Sequence, residues 1–327
     1  MVKNMKEKHL WKHTDLPLLT KDDMPDILLV GNGMNRPFNA ESWKDLICNA
    51  LSRNNSFIAY DDIKDMPATM QIVVATVKKL GSCSDGINDV RKETQKIAQR
   101  IRVENLVDDQ PDLIKKFLSL PIDIILNTNY SNEFELFAHN DASLHVFRSC
   151  QRRTKEVKGI EEQFRLFQYS SLGESYPDKK IWHIHGDISK PSSMVIGHYY
   201  YGKLLKQIED RAAKCKRNYS IALKKGFPFK PESWVDYFLI GNVYISGLGM
   251  YLAEQDLWWL LSFKAMHFPK TKVYFYQTEQ NMDKDVKKLL YAYGVELITD
   301  IPLSGNNYIQ YYHKVIEDIE KHLKKRR

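Results

Sequence analysis

Cysteine is scarce and scattered in this sequence. Only Cys48, Cys83, Cys150 and Cys215 occur among 327 residues, and none stands at the short paired spacing of a zinc-binding module. A zinc ribbon is therefore not expected, and isolated thiols fit a reducing, cytoplasmic setting. Long apolar runs are missing as well: no stretch reaches the roughly 18 residues of a membrane span. The basic N-terminus lacks the apolar core of a secretion signal. Internal repeats and low-complexity segments are also absent, which excludes solenoids and fibrous arrays. Charge of one sign is not dominant. The net charge of +7 gathers at Lys3, Lys6, Lys8 and Lys12 and at Lys321, Lys324, Lys325, Arg326 and Arg327. Such runs read as solvated tails, with contact to an acidic partner, nucleic acid included, as the alternative.

What is present is a globular composition. Hydrophobic residues make up 43% and aromatics 12%, enough for one large domain or two modest ones with a real core. Residues 1–25 read as a polar leader, because Pro17 and Pro25 discourage regular structure. Asp26–Val30 is a continuous apolar run between Pro and Gly, the pattern of a strand buried on both faces of a parallel sheet. Gly31-Asn32-Gly33 follows at once, and a helical pattern starts near Ala40. Strand, glycine turn and helix together suit a loop that approaches phosphate, although a plain turn fits the same residues and Arg36 replaces the third glycine of a full fingerprint.

Residues 60–120 show helical periodicity and no strand signal, as in Met70, Val73, Val74 and Val77 and later Leu113, Phe117 and Leu118; this predicts a helical insertion. A second strand, Ile122–Leu126, ends in Asn127-Thr128-Asn129-Tyr130, followed by a short helix. Amides at such a strand end either meet a ligand or cap the helix. Leu144–Phe147 reads as another strand and residues 150–178 as a variable surface insertion. Lys179–His185 forms the strand that runs into Gly186-Asp187, and Pro191–Gly197 suggests a turn with a short strand. Beyond them, a helix at Tyr199–Leu223, an amphipathic stretch at Trp234–Leu239 and a strand at Val243–Ser246 precede a second glycine turn, Gly247-Leu248-Gly249. A helix containing Trp258 and Trp259, read as packing, is followed by a strand at Lys272–Tyr276 and a helix at Asp283–Tyr293. A strand at Val295–Thr299 and a helix over 306–323 close the chain. Strands and helices alternate at the spacing of parallel βαβ units, so the fold class is α/β.

Five motifs recur at strand ends in a fixed order: GNGMN, NTNY, HIHGD, PSSMVIGHYYY and ISGLGMYLAEQDLWWLL. In this order they resemble the SIR2-like branch of the sirtuin superfamily, found in bacterial anti-phage defence proteins, over residues 26–300. The resemblance implies a Rossmann-like parallel sheet flanked by helices, spanning residues 26–327 as one NAD-binding domain. It sets Gly31, Asn32, Gly33 and Met34 where sirtuins keep their GAGIS loop. Asn129 matches the asparagine of the TQNID motif that orders the ribose and the attacking water, with Asn127 beside it on the cofactor. His185 matches the histidine that serves as general base, and Gly247 and Gly249 a second dinucleotide-contacting turn. The sequence departs from the family in three places. The paired zinc cysteines are missing, Asn35-Arg36-Pro37-Phe38 shortens the GIPDFR pattern, and Ser131 replaces the aspartate of TQNID. These departures weigh against peptide deacylation more than against NAD binding.

The residues suit that chemistry. Backbone N–H groups of the Gly31–Asn35 turn can hold phosphates. Asn129 can position a hydroxyl or a water, and His185 titrates near neutrality and can take a proton. A structural histidine at a strand end is the alternative for His185 alone. Asp187 is either the acid that orients the imidazole or the start of a turn. His183 is read as a packed structural histidine facing away from His185. The expectation is an NAD⁺ glycohydrolase that releases nicotinamide and ADP-ribose and depletes NAD⁺ during phage infection, with NAD⁺ as substrate and no metal. A deacylase or ADP-ribosyltransferase, or a non-catalytic NAD- or ADP-ribose-binding subunit, are the alternatives. With no evident sensor domain, regulation is expected through a homo-oligomer or a partner such as a helicase-like ATPase or an Argonaute-like protein, and no membrane partner is expected.

Overall fold

Ile27, Leu28, Leu29 and Val30 are all fully buried, as a strand covered on both faces must be, and they sit at the middle of the molecule. The computed structural model describes residues 12–13, 18–20, 24–38, 42–53, 58–77, 86–101, 106–107, 109–139, 147–149, 166–305 and 307–326. Its strands are β1 (Lys12–His13), β2 (Asp26–Val30), β3 (Ile124–Asn127), β4 (Phe147–Ser149), β5 (Gln168–Ser171), β6 (Lys180–His183), β7 (Asn242–Ser246), β8 (Val273–Tyr276) and β9 (Glu296–Ile298). They form one sheet in the order β1-β4-β5-β6-β3-β2-β7-β8-β9, parallel except where β5 runs against β4 and β6. The helices are α1 (Trp43–Arg53), α2 (Ala68–Val77), α3 (Gly86–Arg100), α4 (Gln110–Ser119), α5 (Glu133–His139), α6 (His198–Lys225), α7 (Trp234–Ile240), α8 (Gln255–His267), α9 (Lys284–Ala292) and α10 (Tyr308–Arg326). The fold is α/β and Rossmann-like.

Alternation along the strands divides the core in two. Ile27, Leu29, Leu126, Trp182, Ile245 and Phe275 pack with α6, α7, α8 and α9. Leu28, Val30, Ile125, Ile181, Tyr244 and Tyr276 pack with α4, α10 and Phe134 of α5. A third cluster joins α1, α2 and α3 to Met194 and Ile196, with Tyr130 and Ile188 against it. The expected helical insertion is thus a lobe seated on the segments that follow β3 and β6.

Buried charges tie the layers together. Lys264 of α8 donates to the carbonyls of Phe238, Leu239 and Gly241 at 2.7–2.9 Å, satisfying the C-terminal end of α7. Arg211 of α6 clasps Asp236 of α7 through both of its forked nitrogens. The Lys264 bonds tie α8 to α7, and α8 carries a residue of the site.

Several expectations need correction. The leader is not merely polar tail: β1 pairs with β4, and Leu19 exchanges backbone hydrogen bonds with Phe229. The region read as a variable insertion ends in β5, a fully buried strand built from Gln-Tyr-Ser-Ser. Sheet pairing on both sides holds it there, together with the Tyr169 ring, packed 4.8 Å from Trp182 in the core. The strand expected at Leu144–Phe147 appears as β4, three residues long from Phe147; residues 144–146 lie outside the described residues. Pro191–Gly197 forms a 3-10 turn and extended chain rather than a strand. The element after the first glycine turn is a 3-10 helix, Asn32–Phe38, with α1 starting only at Trp43. Cys48 and Cys215 carry free thiols; Cys83, Cys150, the first basic cluster at Lys3, Lys6 and Lys8, and residues 150–165 lie outside the described residues. No described helix is long and apolar enough to cross a membrane.

Candidate active site

The six strands β6-β3-β2-β7-β8-β9 follow the doubly wound order in which the chain first steps to one side of its starting strand and then to the other. The switch falls between β2 and β7. Ligands of such sheets bind beyond the carboxyl ends of the strands at that point. The row of residues at those ends, in register, is His183, Asn127, Val30, Ser246 and Tyr276.

Both glycine turns meet there, and they interlock. Gly33 N–H donates to the Gly247 carbonyl at 2.7 Å, and Gly31 N–H donates to Ser246 O at 3.0 Å. A Cβ on Gly31 or Gly33 would lie 2.6 Å from Gly247 O. Gly247 itself has φ +71°, a conformation that favours glycine. The expectation that this turn offers its N–H groups to phosphate changes accordingly. The amides of Gly31 and Gly33 are committed to the β7 end, and Met34 N–H turns back to Gly31 O. Asn32 is exposed and Met34 buried. Gly249 is exposed, and its missing Cβ would meet only the mobile-ended ring of Tyr251.

The amide-rich end of β3 is sealed from solvent. Asn127 Oδ1 accepts from Asn129 N–H at 2.9 Å, which folds the chain back over the strand end. Glu133, fully buried at the start of α5, accepts from Asn35 Nδ2 at 2.9 Å and from the Ser131 hydroxyl. Burial pushes the Glu133 carboxyl up, with Ser131 acting in the opposite sense. Glu133 therefore fastens the first glycine turn to the β3 end, and Ser131 supplies a hydroxyl donor to it that an ionised aspartate could not.

His183 and His185 take different directions, although residues two apart on a strand share a face. Strand β6 stops at His183, and the turn through Gly186 (φ +82°) redirects His185. His183 points toward α5: Nε2 lies 2.8 Å from Glu135 Oε1, and Nδ1 lies 3.1 Å from Asn129 O. Burial alone would lower its pKa, but Glu135 more than offsets this and raises it to about 9. A doubly protonated ring donating to both partners fits this geometry. His183 is buried with both ring nitrogens engaged, and it bonds to the backbone of Asn129.

His185 points toward α8. Its Nε2 lies 2.9 Å from Asp256 Oδ2 and 4.0 Å from Glu254 Oε2. The Tyr201 ring of α6 packs 5.4 Å from the imidazole, and the Tyr201 hydroxyl reaches Glu254 at 3.4 Å. Tyr130 stands on the same wall, its hydroxyl on Val195 O at 2.9 Å. Burial pulls the His185 pKa down, Asp256 and Glu254 pull it up, and the net shift is upward. Asp187 does not bond to the ring. Its Oδ1 accepts from Ser189 N–H and hydroxyl, so it closes the turn. The acid beside His185 is instead Asp256, 71 residues later. Its signal in the sequence is faint: an acid in the first turn of the helix that follows the second glycine turn.

Several polar groups of this region are buried and unsatisfied. Asn129 Nδ2 and Oδ1, Asn127 Nδ2, Ser246 Oγ, Asn35 Oδ1 and Asp256 Oδ1 are buried and have no hydrogen-bond partner within the described residues. Leaving such groups unpaired is costly, and those of Asn127, Asn129 and Ser246 lie at or just beyond the carboxyl ends of β3 and β7, on either side of β2 at the switch point. A polar ligand with several hydroxyls would satisfy them. His185, Glu254 and Asp256 also present ligand-type atoms within 4.8 Å of one another, the one such group among the described residues. The 2.9 Å contact between ring and carboxylate is that of a hydrogen bond. Comparison with protein-family models and with curated proteins finds no match for this chain.

Proposed function

We propose that the chain is an NAD⁺ glycohydrolase. The observation that carries this reading is the set of buried, unpartnered amide and hydroxyl groups on Asn127, Asn129 and Ser246, gathered at the switch point of a doubly wound sheet, with His185 two residues past the end of the adjoining strand β6. Dinucleotides bind such sheets at this point, and a ribose offers the vicinal hydroxyls that these groups lack. The motif resemblance to SIR2-like proteins supports the same substrate.

In this reading Asn129 orients a ribose hydroxyl or the attacking water, since an amide can donate and accept but has no proton to trade. The bond from ribose C1′ to the nicotinamide nitrogen breaks, and its electron pair leaves with nicotinamide. A water oxygen bonds to C1′, and His185 takes the water's proton, a contribution of about 10²–10⁴-fold. The helical lobe of α1–α3 over Met194, Ile196, Tyr130 and Ile188 keeps bulk water from the oxocarbenium-like centre. Asn127 Nδ2 and the close-packed backbone surface of the glycine loops, rather than the engaged N–H groups of Gly31, Gly33 and Met34, meet the adenosine diphosphate part. A role as an effector that depletes NAD⁺ during phage infection, held in check by self-assembly or a partner protein, extends the resemblance.

Incubation of the purified protein with NAD⁺, alone and with the product of its neighbouring gene, tests the proposal by chromatography of nicotinamide and ADP-ribose. Release that vanishes in His185→Ala supports it. No release under any condition, or full activity in His185→Ala, overturns it.

A further inference from the structure

We infer that Asp256 is a positioning residue that holds His185 in the Nε2–H tautomer, so that the base acts through Nδ1. The inference deepens the glycohydrolase reading and rests on it for the word base; the tautomer itself does not depend on any activity.

Asp256 is fully buried in the first turn of α8, and its Oδ2 faces His185 Nε2 at 2.9 Å with an ionisable carboxylate as acceptor. A carboxylate accepts hydrogen bonds and cannot donate one, so the ring nitrogen facing it carries the proton. In the neutral imidazole the other nitrogen then holds the lone pair. Nδ1 makes no hydrogen bond with the described residues, whereas the same nitrogen of His183 is used up on Asn129 O. The two histidines of one motif are thus set to opposite tasks by carboxylates from different helices. His183 meets Glu135 of α5 and has both nitrogens engaged. His185 meets Asp256 of α8 and keeps one nitrogen available.

The carboxylate is itself fixed. Lys264, further along α8, is bonded to the three carbonyls at the end of α7, and Leu257, Leu260 and Leu261 are buried in the main core. Helix α8 cannot slide without breaking these contacts, so Asp256 is held at a constant distance from β6. Tyr201 fixes the plane of the ring from the side. Glu254 stands farther from Nε2, at 4.0 Å, and leans on Tyr201 instead, so it adds charge but does not select the tautomer. A buried acid fixing the tautomer of a basic histidine is an established device for proton transfer, and removing the charge of such an acid while keeping its shape lowers kcat by about 10⁴.

Nitrogen-15 NMR of the full-length protein, with His185 assigned through His185→Gln, reads the tautomer directly above the ring's titration. Expected is the Nε2–H form in the wild type and in Glu254→Gln, and loss of that preference in Asp256→Asn. Kinetics with NAD⁺ should show kcat falling about 10²–10⁴-fold in Asp256→Asn with KM changed less than about threefold. A wild-type Nδ1–H tautomer overturns the inference, as does an unchanged tautomer in Asp256→Asn. Stoichiometric uptake of Zn²⁺ or Mn²⁺ by the wild type that is lost in Asp256→Asn also overturns it, since the trio would then be a cation site. Should Asp256→Asn not fold, the wild-type tautomer still decides.

Discussion

Gly33 and Gly247 are joined by one hydrogen bond of 2.7 Å between backbones that approach too closely for any side chain. The two turns of the switch point are one unit. A methyl group at Gly33 would be pressed against the Gly247 carbonyl at 2.6 Å, so Gly33→Ala should cost about 1–3 kcal/mol of stability and weaken nucleotide binding. Gly202, exposed in the second turn of α6 with nothing within 4 Å, gives the contrast: Gly202→Ala should add about 0.5–1 kcal/mol. Urea unfolding of both variants checks the pair.

Asn129 should separate function from stability. Both of its side-chain polar atoms are buried without a partner, so the folded protein gains little from them. Asn129→Ala should change stability by less than about 1 kcal/mol while lowering nicotinamide release by about 10²-fold or more. Equal losses in melting temperature and activity would count against a positioning role.

The pH dependence of cleavage follows from the groups around His185. Asp256 and Glu254 face the ring from α8 and its lead-in, the Tyr201 ring packs against it, and the Tyr201 hydroxyl bonds to Glu254. The net shift of His185 is above 6.5, and a base acts when deprotonated. The rising limb of kcat/KM should therefore lie on the alkaline side of 6.5. Removing a neighbouring negative charge in Glu254→Gln should move that limb to lower pH. A profile flat from pH 6 upward would be incompatible with His185 as the base.

His183 predicts a pH effect on stability instead. Its pKa rises from 6.5 to about 9 in the folded protein, so folding takes up protons in that range. The contribution of the His183–Glu135 pair is complete below 6.5 and is lost as pH climbs through about 9. Unfolding free energy should fall across this window in the wild type, and the fall should flatten in His183→Gln. An unaltered slope in the variant would argue that His183 is neutral.

The sheet was largely legible from residues alone, because strands covered on both faces leave continuous apolar runs. Asp26–Val30 and Val243–Ser246 declare themselves in this way. Gln168–Ser171 does not, since an antiparallel strand of polar and aromatic residues has no apolar run to betray it. At the site, the glycines, amides and histidines were readable as types at strand ends. Their assignments to one another were not. Asp256 reaches His185 only because α8 is pinned to α7, and Asp187, the nearer acid in sequence, is consumed by Ser189. Proximity along the chain was a poor guide to which carboxylate meets which ring.

The placement of β2 has a kinetic side. Both of its neighbours come from far along the chain: Val30 meets Thr128 across 98 residues, and Asp26 meets Asn242 across 216. The loop-closure entropy of these contacts must be met before the central strand gains any pairing, and topologies dominated by such contacts fold slowly. Until β7 arrives, the apolar edge of β2 is open to any other strand, so the segment at the heart of the finished sheet is open to mispairing while the chain is incomplete.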